Sequence, residues 1–446
     1  MIFANYEELA VSPLRKKVLR WASSGIESVL PKVFMPRSVK VVREMLYVNT
    51  QKFNISGKRI FVIGAGKASS AMAASLEKIL GHERITDGVV ISNDTTSQPQ
   101  KIRVHFATHP VPSQQGVLGS KKILRLKTTH AINERDVIIA LLSGGGSSLM
   151  PHPIPGITLY DKKKLVKALI QSGANVHEMT LVKKKLSRVK GGKLALHFAP
   201  TPLISLVLSD VIGNNLEVIA SGPFTVDKAT TKDAMDVIRR HKSHAKIPSS
   251  VMKVLSRKKE PLRYGEESFR HVHQAILADN DTALRKIASL ARGEGIRVYV
   301  KKSIQGETKN VAYAICERIR KHTIDRPTLF LYGGETTVTL PERHGIGGRN
   351  QEFVLACLEY FERMPLKYKW CAASVGTDGV DFIDESTGGI IDESSLRAIK
   401  EKEFNARAYL KRHDAQSLLK KINANIYVEG TTGTNVCDIM MFFLTP

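Results

Sequence analysis

Residues 59–69, Arg-Ile-Phe-Val-Ile-Gly-Ala-Gly-Lys-Ala-Ser, decide the fold. A short apolar run that breaks at Gly64 and Gly66 and continues into a helical pattern marks a buried strand turning tightly into a helix. The helical part places Met72, Leu76, Ile79 and Leu80 on one face. Four further apolar runs end in a similar way. Val137–Leu142 leads into Ser143-Gly144-Gly145-Gly146-Ser147-Ser148, and Leu203–Leu208 ends at Ser209-Asp210. Leu329–Tyr332 runs into Gly333-Gly334-Glu335-Thr336, and Cys371–Val375 into Gly376-Thr377-Asp378-Gly379. Short strands alternating with helices predict an α/β fold, a mostly parallel sheet covered by helices. In such sheets ligands sit outside the carboxyl ends of the strands, where bare glycine backbone admits them and helix N-termini face anions. A single loop of this kind is often only a turn; five of them predict a ligand crevice.

The chain of 446 residues exceeds the roughly 250–300 at which one core divides, so two domains are expected. Before residue 59, Tyr6–Ile26 and Ser38–Val48 have apolar positions at helical spacing and predict helices. The polar, basic stretch Lys242–Tyr264, with Pro248 and Pro261, reads as a linker or peripheral helix. A second alternating series follows: a helix near Asp281–Gly293, a strand at Ile296–Val300 and a helix at Lys309–His322. The domain boundary is therefore set near residue 260, giving 1–259 and 260–446.

No apolar run approaches the ~20 residues of a membrane span, so no membrane partner is expected. Glu7 and Glu8 argue against a secretory signal and fit a mitochondrial presequence poorly, although Arg15–Arg20 keeps that alternative open. Cys316, Cys357, Cys371 and Cys437 show no C-x-x-C spacing, which implies neither a disulfide framework nor a zinc site and suits the cytoplasm. The net charge of +25 fits either a nucleic-acid surface or a basic surface around a site for small anions. Basic residues cluster at Lys162–Lys164, Lys183–Lys185, Arg188, Lys190 and Lys193 with few aromatics and no nucleic-acid motif, which favours the second and no nucleic-acid partner.

Lys67 adds a full cation to a loop that in dinucleotide folds relies on backbone amides. Near the positive end of the following helix an ammonium is unfavourable until an anion joins it. The dinucleotide fingerprint is met only in part, with Ser69 at its third position and Asp94 far along for a ribose-binding acid. Nor is this a P-loop, which needs glycine where Phe61 stands and Ser or Thr where Ala68 stands. Asp210, just past a strand, is placed to bind a metal or accept a proton from a hydroxyl, a helix cap being its structural alternative. Glu335 and Asp378 occupy equivalent positions in the second half, and carboxylates around a basic, glycine-lined cleft suit Mg²⁺ and a nucleotide phosphate. Arg349, in Gly347-Gly348-Arg349-Asn350-Gln351-Glu352, opens a helix and offers a planar fork for phosphate or carboxylate oxygens.

These segments are together similar to the glycerate 2-kinases of the MOFRL type, a family once labelled hydroxypyruvate reductases. The match is carried by VIGAGKAS (62–69), THPVP (108–112), LLSGGGSSL (141–149), KKKLSRVKGGKLA (183–195), LVLSDVIGN (206–214), VIASGP (218–223), LYGGETTV (331–338), GGRNQE (347–352), SVGTDGVD (374–381) and TTGTNVCD (431–438), in the family's order over nearly the whole chain. The resemblance implies ATP- and Mg²⁺-dependent transfer of phosphate to the 2-hydroxyl of D-glycerate, giving 2-phosphoglycerate. It also implies a large Rossmann-like three-layer domain, a smaller MOFRL-type α/β domain and an interdomain cleft. Lys67, Asp210 and Arg349 fall on its catalytic positions. The expected binding set is Gly64, Gly66, Ser143, Gly144, Gly145, Gly146, Ser147, Lys190, Gly334, Glu335, Asn350, Asp378, Thr434 and Asn435, with Asp210, Glu335 and Asp378 as metal ligands. The chain departs from the family pattern at Lys183, Asn214, Phe224 and Cys437, which bears on the finer metal and substrate contacts.

The expected mechanism holds the glycerate carboxylate on the Ser143–Ser147 amides and on Lys67 or Lys190. Asp210 orients or deprotonates the attacking hydroxyl, while Arg349 and Mg²⁺ near Glu335 or Asp378 offset phosphoryl charge. The alternative is an NAD(P)H-dependent hydroxypyruvate reductase using Gly64–Ser69 as its fingerprint. A third option is a nucleic-acid-binding module driven by charge. Oligomeric state is left open, a homodimer included.

Overall fold

The computed structural model describes residues 1–241, 247–256, 265–382 and 386–446. The boundary expected near residue 260 lies outside the described residues, as does much of the expected linker, within which Ser249–Leu255 forms a short helix. The described chain divides into two compact units, one of residues 34–277 and one joining 1–33 to 278–446.

In the 34–277 unit a six-stranded sheet has the order Arg103–Phe106, Ile85–Ser92, Ile60–Ala65, Val137–Leu142, Leu203–Leu208, Val272–Ala278. Taken in chain order the strands run 3-2-1-4-5-6, the doubly wound Rossmann order, which reverses between the first strand and the fourth. The first five are mutually parallel. Ile60–Ala65, Val137–Leu142 and Leu203–Leu208 are buried along their whole length, which is why they read as unbroken apolar runs. Ala65 pairs with Leu142, and Leu142 with Val207, so the three strands end level. At about 4.8 Å between strands, their loops leave the sheet within roughly 10 Å of one another. A separate helical cluster, built around Leu165, Leu169, Val182, Leu186, Ile238 and Val251, carries the basic segments 159–185.

The helix expected over Ser38–Val48 does not form: a helix Pro31–Ser38 ends at Ser38, and strands follow. Val39–Val42 and Met45–Val48 form an antiparallel hairpin that Gln51–Asn54 extends. The β-branched Val39, Val41 and Val42 resist helix, and Arg43 turns the chain at φ 56°.

In the other unit the expected helix Tyr6–Ile26 is two helices, Tyr6–Leu9 and Pro13–Ser28, the second capped by the Ser12 side chain. The second packs on the helix Asn280–Gly293: a Cβ on Gly25 would stand 2.6 Å from Ile287 Cδ1. Trp21 meets Phe443 edge-on with centroids 5.1 Å apart, and buried Arg15 pairs with Asp392 at 2.9 Å. These long-range contacts are why residues 1–33, expected in the first domain, cluster with the second. Thr308–Arg320 follows the expected helix closely, and Arg297–Glu307 extends the expected strand.

The sheet here is mixed, not mostly parallel. Its order is Arg297–Glu307, Thr328–Thr337, Asp438–Thr445, Lys369–Gly376, Gly388–Asp392, Asn425–Ile426, and only the first pair is parallel. The apolar last strand fills the centre, where both edges and both faces are covered. It runs backwards, so its first residue, Asp438, pairs with Gly334 on one side and Gly376 on the other.

Candidate active site

The loops after Ile60–Ala65 and Val137–Leu142 meet at the reversal point of the Rossmann order, and they interlock. Lys67 N–H donates to Gly144 O at 2.8 Å, Ala68 N–H to Ser143 Oγ at 3.0 Å, and Ser143 N–H to Ala65 O at 3.3 Å. Gly66 N–H donates to Ile91 O and Ser69 N–H to Gly66 O. The amides that a dinucleotide fingerprint offers to a pyrophosphate are therefore spent inside the protein. The second loop differs: among the described residues the Gly144 and Gly145 amides have no acceptor. Gly64, Gly66 and Gly146 serve this interlock, since a Cβ on each would fall within 3 Å of Leu141 O, Ser143 Oγ or Ala65 O.

Gly66 is the tightest of these positions. Its φ is +151°, and a Cβ would stand 2.0 Å from Ser143 Oγ. Gly66→Ala is expected to cost about 2–4 kcal/mol, from overpacking plus backbone strain, and to abolish activity with it. Urea unfolding checks this; a variant as stable as the wild type would show that the loops do not lock.

The helix Ser69–Leu80 has Ala68 as its N-cap, so Lys67 stands one residue ahead of the cap rather than inside the first turn. A side chain at Gly145 would meet the Lys67 stem at 3.3 Å and the His109 ring at 2.6 Å. Bare backbone there lets both side chains lie against the turn. His109 belongs to the THPVP segment, but it follows no strand-ending glycine run and was not singled out. Asp210 is half-buried two residues past the neighbouring strand, on the same edge of the sheet.

Ser147 is held from two sides. The Lys190 ammonium donates to its carbonyl and, at 2.5 Å, to its hydroxyl, which lies 2.8 Å from Ser221 Oγ. Ala220, Ser221 and Gly222 have φ of 50°, 64° and 59°, a left-handed run in which only the last is glycine. Such strain persists where neighbours over-determine it. Here Gly191 N–H and Gly192 N–H donate to Ser221 O and Gly222 O. Of the departures from the family pattern in this unit, Phe224 is buried in the sheet core and Asn214 takes a positive φ that suits Asn.

Several of the lysines read as a surface cluster are in fact buried. Burial, with repulsion from Lys183 and Lys193, pushes the Lys162 ammonium down to about 8, and burial brings Lys193 to about 8 as well. Lys190 is driven down by burial and by Lys162 and Lys183. The unfolded chain keeps the Lys162 proton up to its ordinary value of 10.5, whereas the folded chain loses it near 8. Between these values the unfolded state binds more protons, so this group makes stability rise with pH. Without anions, Lys162→Met is expected to be more stable than the wild type at pH 7, by on the order of 3 kcal/mol. The difference should shrink as pH climbs past 8 towards 10. Urea unfolding at pH 7 and 9.5 tests it, and a variant less stable than the wild type at both would refute the buried charge.

In the other unit Arg349 is the first residue of the helix Arg349–Arg363, as expected. Its fork is already filled by protein. Nε and Nη2 hold Asp438 at 2.6 and 2.9 Å, and Nη1 reaches Glu335 at 3.1 Å. Burial works against the cation, but Asp438 and then Glu335 hold the guanidinium well above its ordinary range. Asn350 is buried, donating to Asp381 and Asp438 and accepting from Ser374. Asp381 accepts the Asn350 and Gln351 amides; burial pushes its carboxyl up to about 6, with Asp438 adding to the shift. Gly334 is bare because Ile304 O lies 2.1 Å from where its Cβ would be. Buried Thr434 donates to Val29 O, and Asn435 Oδ1 accepts from Cys437 N–H. Glu335 and Asp378 are more open: Glu335 is 43% exposed, with the Cys437 thiol 3.7 Å from its Oε2, and half-buried Asp378 accepts from Val380 N–H. Asp438 and Asp381 were not singled out. Attention to the carboxyl ends of apolar runs misses Asp438, an acid ahead of Ile439–Leu444 whose antiparallel strand carries its amino end to the same edge.

Among the described residues no three His, Cys, Asp or Glu side chains assemble into a cation cage. Glu335 is instead engaged by Arg349. A Mg²⁺ carried by a nucleotide needs only one or two carboxylates beside the phosphates, which the open Glu335 and Asp378 can supply. Among the described residues no helix is long and apolar enough to cross a membrane.

Comparison with known proteins agrees with this architecture. Residues 17–256 match a domain of unknown function (DUF4147), and residues 328–438 match the MOFRL family. The glycerate 2-kinase of Pyrococcus horikoshii is 33% identical over 97% of this chain and 98% of its own. The D-glycerate 2-kinase of Thermotoga maritima is 32% identical over 96% and 98%. The crystal structure of a glycerate kinase from Thermotoga maritima superposes with a TM-score of 0.80 at 30% identity, covering 96% of this chain and 99% of that one. With both domains matched in order and relatives aligned end to end, the chain belongs to the MOFRL-type glycerate kinase family.

Proposed function

We propose that this protein is an ATP-dependent kinase that phosphorylates D-glycerate at the 2-hydroxyl, by direct in-line transfer in a cleft to which both units contribute. The observation that carries this reading is the interlock of the two glycine loops. It removes the first loop's amides from dinucleotide binding and leaves those of Gly144 and Gly145, beside Lys67 and Lys190, for a small anion. That favours the kinase over the NAD(P)H-dependent reductase.

In this reading the Ser143–Ser147 turn and the lysines hold glycerate by its anionic end. Asp210, on the next strand end, orients the attacking hydroxyl and takes its proton. Arg349 serves from the other unit, with a ligand displacing the exposed Glu335 from its fork. Mg²⁺, when bound with the nucleotide, would be held by Glu335 or Asp378 and would neutralise phosphoryl charge. Transfer then asks for positioning and charge offset rather than a covalent nucleophile.

The experiment is direct. Incubation with ATP, Mg²⁺ and D-glycerate, followed by phosphorus NMR, should give 2-phosphoglycerate, and ATP with Mg²⁺ should raise Tm where NADH does not. Formation of 3-phosphoglycerate would overturn the regiochemistry; NADH-dependent reduction of hydroxypyruvate would overturn the class.

A further inference from the structure

Lys162, on the helix Leu159–Gln171, is 6% exposed, and its ammonium has no hydrogen-bond partner among the described residues. Lys190 is 2% exposed and rests on Ser147. Half-buried Lys183, in the last turn of the helix Val176–Lys185, adds a third cation, and both Lys162 and Lys183 repel Lys190. The neighbouring carboxylates are committed elsewhere: Asp227 pairs with Lys184 and Lys185, and Glu217 with Lys184. Burying one unpaired ammonium is costly, and gathering three more so, unless an anion completes the set. A carboxylate brings a single charge, which Lys190 and the loop amides can already meet. Three clustered ammonium groups match an anion of higher charge.

We propose that Lys162, Lys183 and Lys190, with the Ser147 hydroxyl, form a subsite for a phosphate-class anion carrying two or more negative charges. It deepens the kinase reading and rests on it only for the source of the anion: the polyphosphate chain of a nucleotide, or the phosphoester of the product.

The test is thermal unfolding of the full chain as wild type, Lys162→Met, Lys183→Met and the exposed control Lys163→Met. Inorganic phosphate is the probe, and acetate at matched ionic strength the monoanion control. Phosphate should raise Tm by several degrees in the wild type and Lys163→Met, and acetate should not. In Lys162→Met and Lys183→Met the apparent affinity for phosphate should fall at least tenfold, and if one variant does not fold the other carries the comparison. ADP and 2-phosphoglycerate form the second arm, and the one whose shift depends on Lys162 identifies the source. Equal phosphate shifts in wild type and lysine variants, or an acetate effect as large as that of phosphate, would overturn the subsite. Lys162-dependent phosphate binding in a protein that does not phosphorylate glycerate leaves the subsite standing and removes the kinase reading.

Discussion

Asp210→Ala is expected to lower glycerate-dependent ADP release by about 10³-fold or more, with little change in Tm. A positioned base contributes typically 10²–10⁴-fold, and alanine here also removes the group that orients the hydroxyl. The carboxylate stands on the same sheet edge as the Lys67 and Ser143–Ser147 loops, a few residues past strand ends that lie level. It is half-buried in a loop, so truncating it opens no cavity in the core. The loss should fall on kcat more than on KM, because the contact is made with the hydroxyl in transit rather than with the carboxylate that anchors glycerate. Asp210→Asn separates the two roles: it keeps the size but not the basicity, so orientation alone would restore part of the rate. Turnover within a few-fold of wild type in Asp210→Ala would remove Asp210 from the chemistry.

Asp438→Ala should be the most destabilising single change, costing about 3–5 kcal/mol. Its carboxylate is fully buried and binds Arg349 through two donors, while Asn350 donates to the same group at 3.1 Å. Removing it leaves a half-buried guanidinium held by Glu335 at the exposed end, and Asn350 loses one of its two carboxylate acceptors, keeping Asp381. Arg349 loses its fixed geometry, so activity should fall with stability. Charge is the cause to isolate. Arg349→Met combined with Asp438→Asn deletes both charges, and it should be less destabilising than Asp438→Ala even though it changes more atoms. Glu335→Gln, on the open side of the same arginine, should cost under 1 kcal/mol. Urea unfolding of this set is decisive: a double variant at least as destabilised as Asp438→Ala would mean that the buried charge is not the cause.

Much of the site was legible because its signals are local. A glycine after an apolar run often marks a strand end in an α/β protein, and the loops containing Lys67, Ser143–Ser147, Asp210 and Asp378 follow strands as expected, whereas Gly333, Gly334 and Glu335 lie inside the strand Thr328–Thr337. Arg349 at a helix start was equally readable, since Gly347 and Gly348 precede an apolar helical pattern. Where these groups direct their hydrogen bonds was not readable. Asn350 and Thr434 look like binding residues in a motif, yet both are spent on the protein's own frame. Arg349 offers its fork to Asp438, a residue 89 positions away.

The sequence by itself determined the strand–loop–helix rhythm, the glycine turns and the charges they carry, because each depends on a few neighbouring residues and on backbone sterics. Only the tertiary structure decided three further matters: that the second loop consumes the amides of the first, that residues 1–33 pack with the distant 278–446 segment, and that the last strand runs backwards and brings Asp438 under Arg349. The reason is common to all three. Each outcome is a choice among long-range partners, and strand direction, loop interlock and buried ion pairing leave no periodic trace in the chain that makes them.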